Sequence, residues 1–323
     1  MVDIRKSDER VLMSKTPGVT TAQLAYFAEA ADHLSMTRAA ENLLVAQSAV
    51  SSSIAQLERA VGVQLFIRKP AKGLILTAAG ERLHHEARSL LTRLNEALES
   101  ARGQENEVRG VLVLACFVTL MPFYIPGLLS QMRSQHPDLR VEVIETDLDG
   151  MLEALRSGRA QLGLGYDFGF DGSVHTQEVT RAQPHIILSE KHRLARKPSI
   201  ALSELQDEPM VLLDLPVSRD YFLGMLSAAG VEPEVRYRSG NYETVRSLVA
   251  KGHGFSILNQ RPVSSVTYDG GSIVALSISD SVPSLPVVIV SLNDVRPTAR
   301  SRAVSDGIRS LTVGGNTDIG TDA

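Results

Sequence analysis

Hydrophobic and polar positions follow two different rhythms along this chain, and the change falls near residue 110. In the first hundred residues apolar side chains recur at spacings of three and four, the mark of helices with one buried face. Leu24, Phe27, Ala28 and Ala31 define such a face on a helix over residues 22–31, with Thr20 or Thr21 as its cap after Pro17-Gly18. Thr37 reads as the cap of a second, short helix over residues 38–44, and Val45 and Ala46 make a turn. A third helix over residues 48–60 buries Val50, Ile54, Leu57 and Val61. Its other face carries Ser48, Ser51, Ser52, Ala55 and Arg59, all small or polar. Residues 64–67 and 74–76 are two short strands around a basic Pro/Gly loop. From Thr77 a long helix follows, with Leu83, Ala87, Leu90, Leu94, Ala97 and Ala101 at heptad spacing and charged residues on its flanks.

The polar stretch GQENEVRG, residues 103–110, ends that rhythm and reads as a hinge. Beyond it, short apolar runs alternate with amphipathic segments. VLVLACF, LRVEVIET and AQLGLGY are strands, separated by helices over residues 120–135 and 148–157. This βαβαβ order is the grammar of a parallel sheet. PHIILSE, PMVLLD, EVRYRS and GFSILN continue as strands, with a short helix within residues 192–208 and helices over 218–229 and 242–251. LPVVIVSL and a helix over 299–311 close the domain. Residues 1–18 read as a flexible extension and 314–323 as a disordered tail with no apolar face.

Composition adds limits. The chain has 323 residues, 43% hydrophobic and 22% charged, which suits a soluble globular protein of two or three domains. Its formal charge of −4 places any polyanion binding in local patches. One such patch is Arg59, Arg68, Lys69 and Lys72, in a stretch without an acidic residue. The single cysteine, Cys116, excludes an internal disulfide framework and sits in an apolar run as a core thiol. The charged start has no signal-peptide pattern, and no apolar run reaches ~18 residues, so a cytoplasmic location without a membrane span is expected. No metal site and no cofactor is expected.

A polar helix face beside a basic hairpin can enter the DNA major groove and reach the phosphates. The stretch AENLLVAQSAVSSSIAQLERAVGVQLFIR also resembles the winged helix-turn-helix of LysR-type transcriptional regulators. The family's recurrent features stand here as Ala39, Ala40, Leu43, Gln47, Ser48, Ser51, Ile54, Leu57, Glu58, Gly62, Val63, Leu65, Phe66, Arg68, Leu76, Thr77 and Gly80. Ser52 departs from the pattern, because many members carry a basic residue there. The resemblance implies an α/β multidomain protein. A winged helix-turn-helix would occupy 19–76, a dimerising linker helix 77–105 and a hinge 106–109. An effector domain with the type 2 periplasmic-binding-protein fold would occupy 110–313. Its subdomains would be about 110–181 with 284–313, and about 182–283, with crossovers near Thr180 and Ser284. Arg38, Gln47, Ser48, Ser51, Ser52, Arg59, Arg68, Lys69 and Lys72 are the expected contacts to double-stranded promoter DNA. A homodimer through the linker helix and a homotetramer through the effector domains follow from the same resemblance.

Ligands in open α/β sheets bind where strands end and helices begin. Here those places bring forward Thr119, expected to cap its helix, with Phe117, Tyr166, Ser218 as an N-cap, Arg219, Asn241, and Asn259 with Gln260 beside it. Family members present a ligand-contacting hydroxyl near Thr119, and some have a polar residue at the place of Phe117, which implies a partly apolar pocket. A cation at Arg219 opposes the helix dipole unless an anion lies nearby. The expected effector is therefore a small anion with an apolar or aromatic body. The alternative is a small-molecule-binding protein or enzyme without a DNA-regulatory role. G-x-S-x-G, H-E-x-x-H and Walker-type motifs are all missing from the sequence.

Overall fold

Thr20 starts the first helix. Its hydroxyl accepts from the Gln23 N–H at 3.2 Å, and Gln23 Oε1 accepts from the Thr20 N–H at 2.8 Å, a reciprocal capping box. The computed structural model describes residues 18–69, 73–101 and 107–315. Residues 1–17 of the extension expected at 1–18, residues 70–72, residues 102–106 and residues 316–323 of the tail expected at 314–323 lie outside the described residues. Two compact units divide the chain, Met1–Glu105 with Arg156–Arg159 in one, Asn106–Leu155 with Ala160–Ala323 in the other.

In the first unit α1 is Thr21–His33, α2 Met36–Asn42, α3 Gln47–Val61 and α4 Ala78–Ala101. Ser35, not Thr37, caps α2: its hydroxyl accepts from the Arg38 N–H at 3.3 Å, so Thr37 falls inside the first turn. Two leucines take left-handed backbone at the corners, Leu34 (φ 47°) before α2 and Leu44 (φ 54°) before α3. Gly62 (φ 73°) ends α3, a backbone that glycine adopts without strain. Strands β1 (Phe66–Lys69) and β2 (Gly73–Leu76) form the antiparallel wing, in register Phe66↔Leu76 to Lys69↔Gly73. Phe27, Val50, Ile54, Leu57, Leu65, Phe66 and Ala87 make one core, with the Phe27 and Phe66 rings 5.4 Å apart. Asp32 on α1 holds α4 by accepting from His84 at 2.8 Å and pairing with Arg88.

The second unit contains a five-stranded sheet and two smaller ones. Strand β3 (Gly110–Phe117), α5 (Met121–Gln135), β4 (Leu139–Thr146), α6 (Leu148–Arg156) and β5 (Leu162–Tyr166) follow the expected βαβαβ order with parallel pairing. Then comes β6 (Val174–Ala182). The second half holds β7 (His185–Ser189), β8 (Ser199–Ile200), a 3-10 turn at Leu202–Leu205, β9 (Met210–Leu213) and α7 (Ser218–Ala228). It continues with β10 (Val235–Ser239), α8 (Tyr242–Ala250), β11 (Ser256–Leu258) and β12 (Ile273–Ile278). Strand β13 (Leu285–Leu292) and α9 (Ala299–Gly315) return to the first half.

The large sheet has the order β4-β3-β5-β13-β6, and β13 runs antiparallel to both neighbours because it enters from the second half. The second half carries β11-β7-β12-β8 and the parallel pair β10-β9. The first crossing follows Ala182, since Thr180 is still paired with Val287. Helix α9 includes Gly314 and Gly315, two residues expected in the tail. Strand β6 has no apolar run to announce it in the sequence, because it is polar and largely open to solvent between its ends, HTQEVTR on a sheet edge.

Candidate functional site

In the first unit the site is built on α3. Val50, Ile54 and Leu57 are buried, which turns the rest of the helix outward. Gln47, Ser48, Ser52 and Arg59 are exposed, Ser51 is half-buried, and Arg38 is exposed on α2. Ala46 precedes α3 without a side-chain cap, and the Ala49 N–H already donates to the Ala46 carbonyl at 2.9 Å, so the N–H groups of Gln47 and Ser48 keep their capacity for an anion such as phosphate. Arg68 and Lys69 lie on β1, but their side chains are outside the described residues, as is Lys72 altogether.

Glu58 is the functional support that sequence reading left without a role. Its Oε1 accepts from the Leu65 N–H at 2.8 Å and the Phe66 N–H at 3.2 Å, fixing the wing to α3. In the sequence it stands beside the apolar stripe, immediately before Arg59 and the turn, among the features that carry the family resemblance.

The second unit brings its candidate residues together around the hydroxyl of Tyr166, at the end of β5. Tyr166 accepts from Gln260 Nε2 at 3.2 Å, and Thr119 Oγ1 donates to it at 3.4 Å. Gln260 follows β11 in the other half, so this contact joins the subdomains. Tyr242 at the start of α8 donates to the Gln260 carbonyl, and its ring meets Phe123 of α5 edge-on at 6.3 Å. Phe168 and Tyr221 form a further ring contact at 5.9 Å. Burial pushes the phenols of Tyr166 and Tyr242 up, and that of Tyr221 to about 12, so all three act as neutral groups. Phe123 and Phe168 were not picked out from sequence. The clue was available in the crowding of aromatics at strand ends in a chain with only 5% aromatic residues.

Several expectations change. Thr119 does not cap α5, whose cap position is Leu120 without a side-chain bond; its hydroxyl turns to Tyr166 instead. Phe117 is fully buried, its ring 5.3 Å from that of Tyr166, so it packs behind that ring and offers no surface to a ligand. Ser218 is inside α7 and buried. The cap position falls to Val217, with φ 65° and ψ −44°, in a γ-turn closed by the Ser218 N–H to the Pro216 carbonyl at 2.7 Å. A β-branched residue in that backbone is strained. Val217 and Leu215 nonetheless pack on the core of the first subdomain. Arg219 already has its countercharge: Asp214 pairs with it at 3.0 Å and with Arg238 at 3.6 Å. The first-turn cation therefore needs no ligand to explain it. Asn241 caps α8, accepting from the Thr244 N–H at 2.9 Å, and is exposed. Asn259 is half-buried, and its Oδ1 has no hydrogen-bond partner among the described residues.

Among the described residues no group of three or more His, Cys, Asp or Glu could hold a metal ion, and no helix is long and apolar enough to cross a membrane.

Residues 21–81 match the bacterial regulatory helix-turn-helix protein of the lysR family, and residues 105–311 match the LysR substrate binding domain. A probable hydrogen peroxide-inducible genes activator of Streptomyces viridosporus is 28% identical over 301 residues, 90% of this chain and 95% of the relative. The crystal structure of HinK, a LysR family transcriptional regulator from Pseudomonas aeruginosa, is 32% identical with a TM-score of 0.62. That similarity covers 91% of this chain and 98% of HinK. A full-length OxyR variant from Pseudomonas aeruginosa reaches a TM-score of 0.75 at 26% identity, over 90% and 98% of the two chains. The chain belongs to the LysR family of transcriptional regulators, with an N-terminal helix-turn-helix domain and a C-terminal LysR substrate-binding domain.

Proposed function

We propose that this regulator responds to a small anionic metabolite with an apolar body, bound between the two subdomains of its C-terminal domain, and that the ligand alters DNA binding or bending. The observation that carries the reading is the buried Tyr166 hydroxyl, held from one subdomain by Thr119 and from the other by Gln260. A ligand entering there exchanges a bond between the subdomains for its own contacts, and so binds their open and closed arrangements with different affinity. Only that difference can drive a switch. The neutral aromatic walls suit an apolar body. The unpaired Asn259 Oδ1 suits a donor on the ligand, and Arg219 suits its anion if it can be drawn from Asp214.

Competition with Asp214 gives the test. Arg219→Ala should weaken a carboxylate recovered from a thermal-shift screen about tenfold, the loss of one charge-assisted bond partly offset by solvent exposure. Asp214→Asn should strengthen it by freeing the guanidinium. Calorimetry on the two variants reads this directly, and unchanged affinity in both would leave the ligand's anion without its proposed partner.

On the DNA side the proposal places Gln47, Ser48, Ser51 and Ser52 at base edges or phosphates. It places Arg38, Arg59, Arg68, Lys69 and Lys72 on the backbone or in the minor groove. The chain would act as a homodimer through α4 and as a homotetramer through its C-terminal domains. Gln47→Ala should relax preference at one base position by about 1–3 kcal/mol. Binding to a panel of single-base operator variants checks this, and a uniform loss across the panel would assign Gln47 to phosphate instead.

Some relatives are named as activators of hydrogen peroxide-inducible genes. A thiol-based response is poorly served in this chain. Cys116 is the chain's one cysteine, it is fully buried, and burial pushes its thiol up, away from the reactive thiolate.

A further inference from the structure

The second subdomain contains a cavity of about 400 Å³ beside the β11-β7-β12-β8 sheet. Ile187, Leu258 and Leu276 line it with apolar surface, Arg246 and Arg261 bring guanidinium groups to it, and His185 brings its ring. Its size lies in the range of small-molecule sites. The three polar residues differ in their partners. Arg246 is buried and pairs with Glu243 at 2.5 Å, and it donates to the Ser264 carbonyl at 2.7 Å. Its Nε, however, is buried with no hydrogen-bond partner among the described residues. Arg261 is exposed and donates to the Ala275 carbonyl at 3.3 Å, with no carboxylate in ion-pair range among the described residues. Burial pushes His185 down to about 4, so at neutral pH its ring is an uncharged hydrogen-bonding group.

The local balance is thus one uncompensated guanidinium and one orphaned buried N–H, set against apolar walls. A buried donor without an acceptor is costly, and a carboxylate supplies acceptors while its hydrocarbon part covers the apolar surface. We propose that this cavity is a second ligand site, separate from the Tyr166–Gln260 cleft, for a small monocarboxylate with an apolar body, whose carboxylate is held by Arg261. The two proposed sites adjoin along the chain. Leu258 and Tyr242 line the cavity, while Gln260, two residues beyond Leu258, carries the bonds to Tyr242 and Tyr166.

The test uses 4-bromobenzoate on the full chain. Crystals soaked with it should give a bromine anomalous peak between Ile187 and Leu276, and calorimetry should give an affinity that falls about tenfold in Arg261→Ala and recovers in part in Arg261→Lys. Because Arg261 is exposed, neither variant threatens the fold. Bromine only between Thr119 and Gln260 would overturn the second site while supporting the cleft. No peak in the cavity, or wild-type affinity in Arg261→Ala, would also overturn it. Bromine in the cavity with an empty cleft would support it and leave the cleft proposal to its own variants.

Discussion

Leu90→Asp is expected to abolish dimerisation and with it operator binding, while the N-terminal unit stays folded. Leu90 is 48% exposed, and with Leu24, Leu83 and Ala87 it lines an open apolar groove of about 400 Å³. Leu98, two turns on, is 45% exposed. In a single chain an aspartate at an exposed position costs little, within about 0.5 kcal/mol. In a dimer joined along α4 the same carboxylate sits unpaired in an apolar seam, where desolvation of a charge costs far more. A dimer that reads two half-sites gains avidity of about 10²–10⁴ over either module alone. Loss of pairing should therefore weaken operator binding by at least about a hundredfold. Sedimentation reports the assembly, and fluorescence anisotropy the operator affinity. A variant that remains dimeric in sedimentation would remove α4 from the main interface.

The same helix marks where sequence periodicity stops being informative. Leu83, Ala87, Leu90 and Leu94 keep one heptad rhythm, but the structure assigns them different neighbours. Ala87 is buried, and Leu83 packs with it on the core built from Phe27, Leu57 and Phe66. Leu90 faces outward. Periodicity tells which side of a helix is apolar and cannot tell which surface meets it. Strands with apolar runs were legible for the opposite reason: LRVEVIET and LPVVIVSL are β4 and β13 to the residue. Strand β6 was invisible because an edge strand needs no apolar run. The cap of α2 was misplaced because Ser35 and Thr37 are both good caps, and only the left-handed turn at Leu34 decides between them.

In the candidate ligand site, sequence reading found positions and missed partners. Thr119, Tyr166 and Gln260 come together because the strand ends that carry them, from both halves, meet at the Tyr166 hydroxyl. Arg219 looks uncompensated in the sequence, yet Asp214, five residues earlier, pairs with it, so a ligand anion would have to compete with that carboxylate. A charge that looks uncompensated along a helix can be neutralised from the preceding loop, and linear spacing does not disclose it.

Gly80→Ala should destabilise the N-terminal unit by about 3 kcal/mol, even though alanine is the better helix former. Gly80 lies in the first turn of α4, where a Cβ would stand 2.1 Å from the Leu65 carbonyl oxygen and 3.0 Å from Leu76 Cδ2. The leucine side chain can move, but the carbonyl cannot easily follow. Leu65 O accepts from the Thr77 N–H at 2.9 Å, and the Leu65 N–H is held by Glu58. Thr77 Oγ1 in turn accepts from the Gly80 N–H at 2.9 Å, which fixes the start of α4 against the entry to the wing. Relief of the clash requires α4 to back away from β1, with loss of these bonds and exposure of Leu65 and Ala87. The propensity gain of about 1 kcal/mol for alanine works in the opposite direction and is the smaller effect. For a unit of this size, about 3 kcal/mol lowers the melting midpoint by more than about 10 °C. Differential scanning calorimetry of the full chain should show the first transition moving down alone, with operator affinity falling as the wing loses its angle to α3. A midpoint that rises would mean that helix propensity dominates and that α4 can slide on the wing without cost.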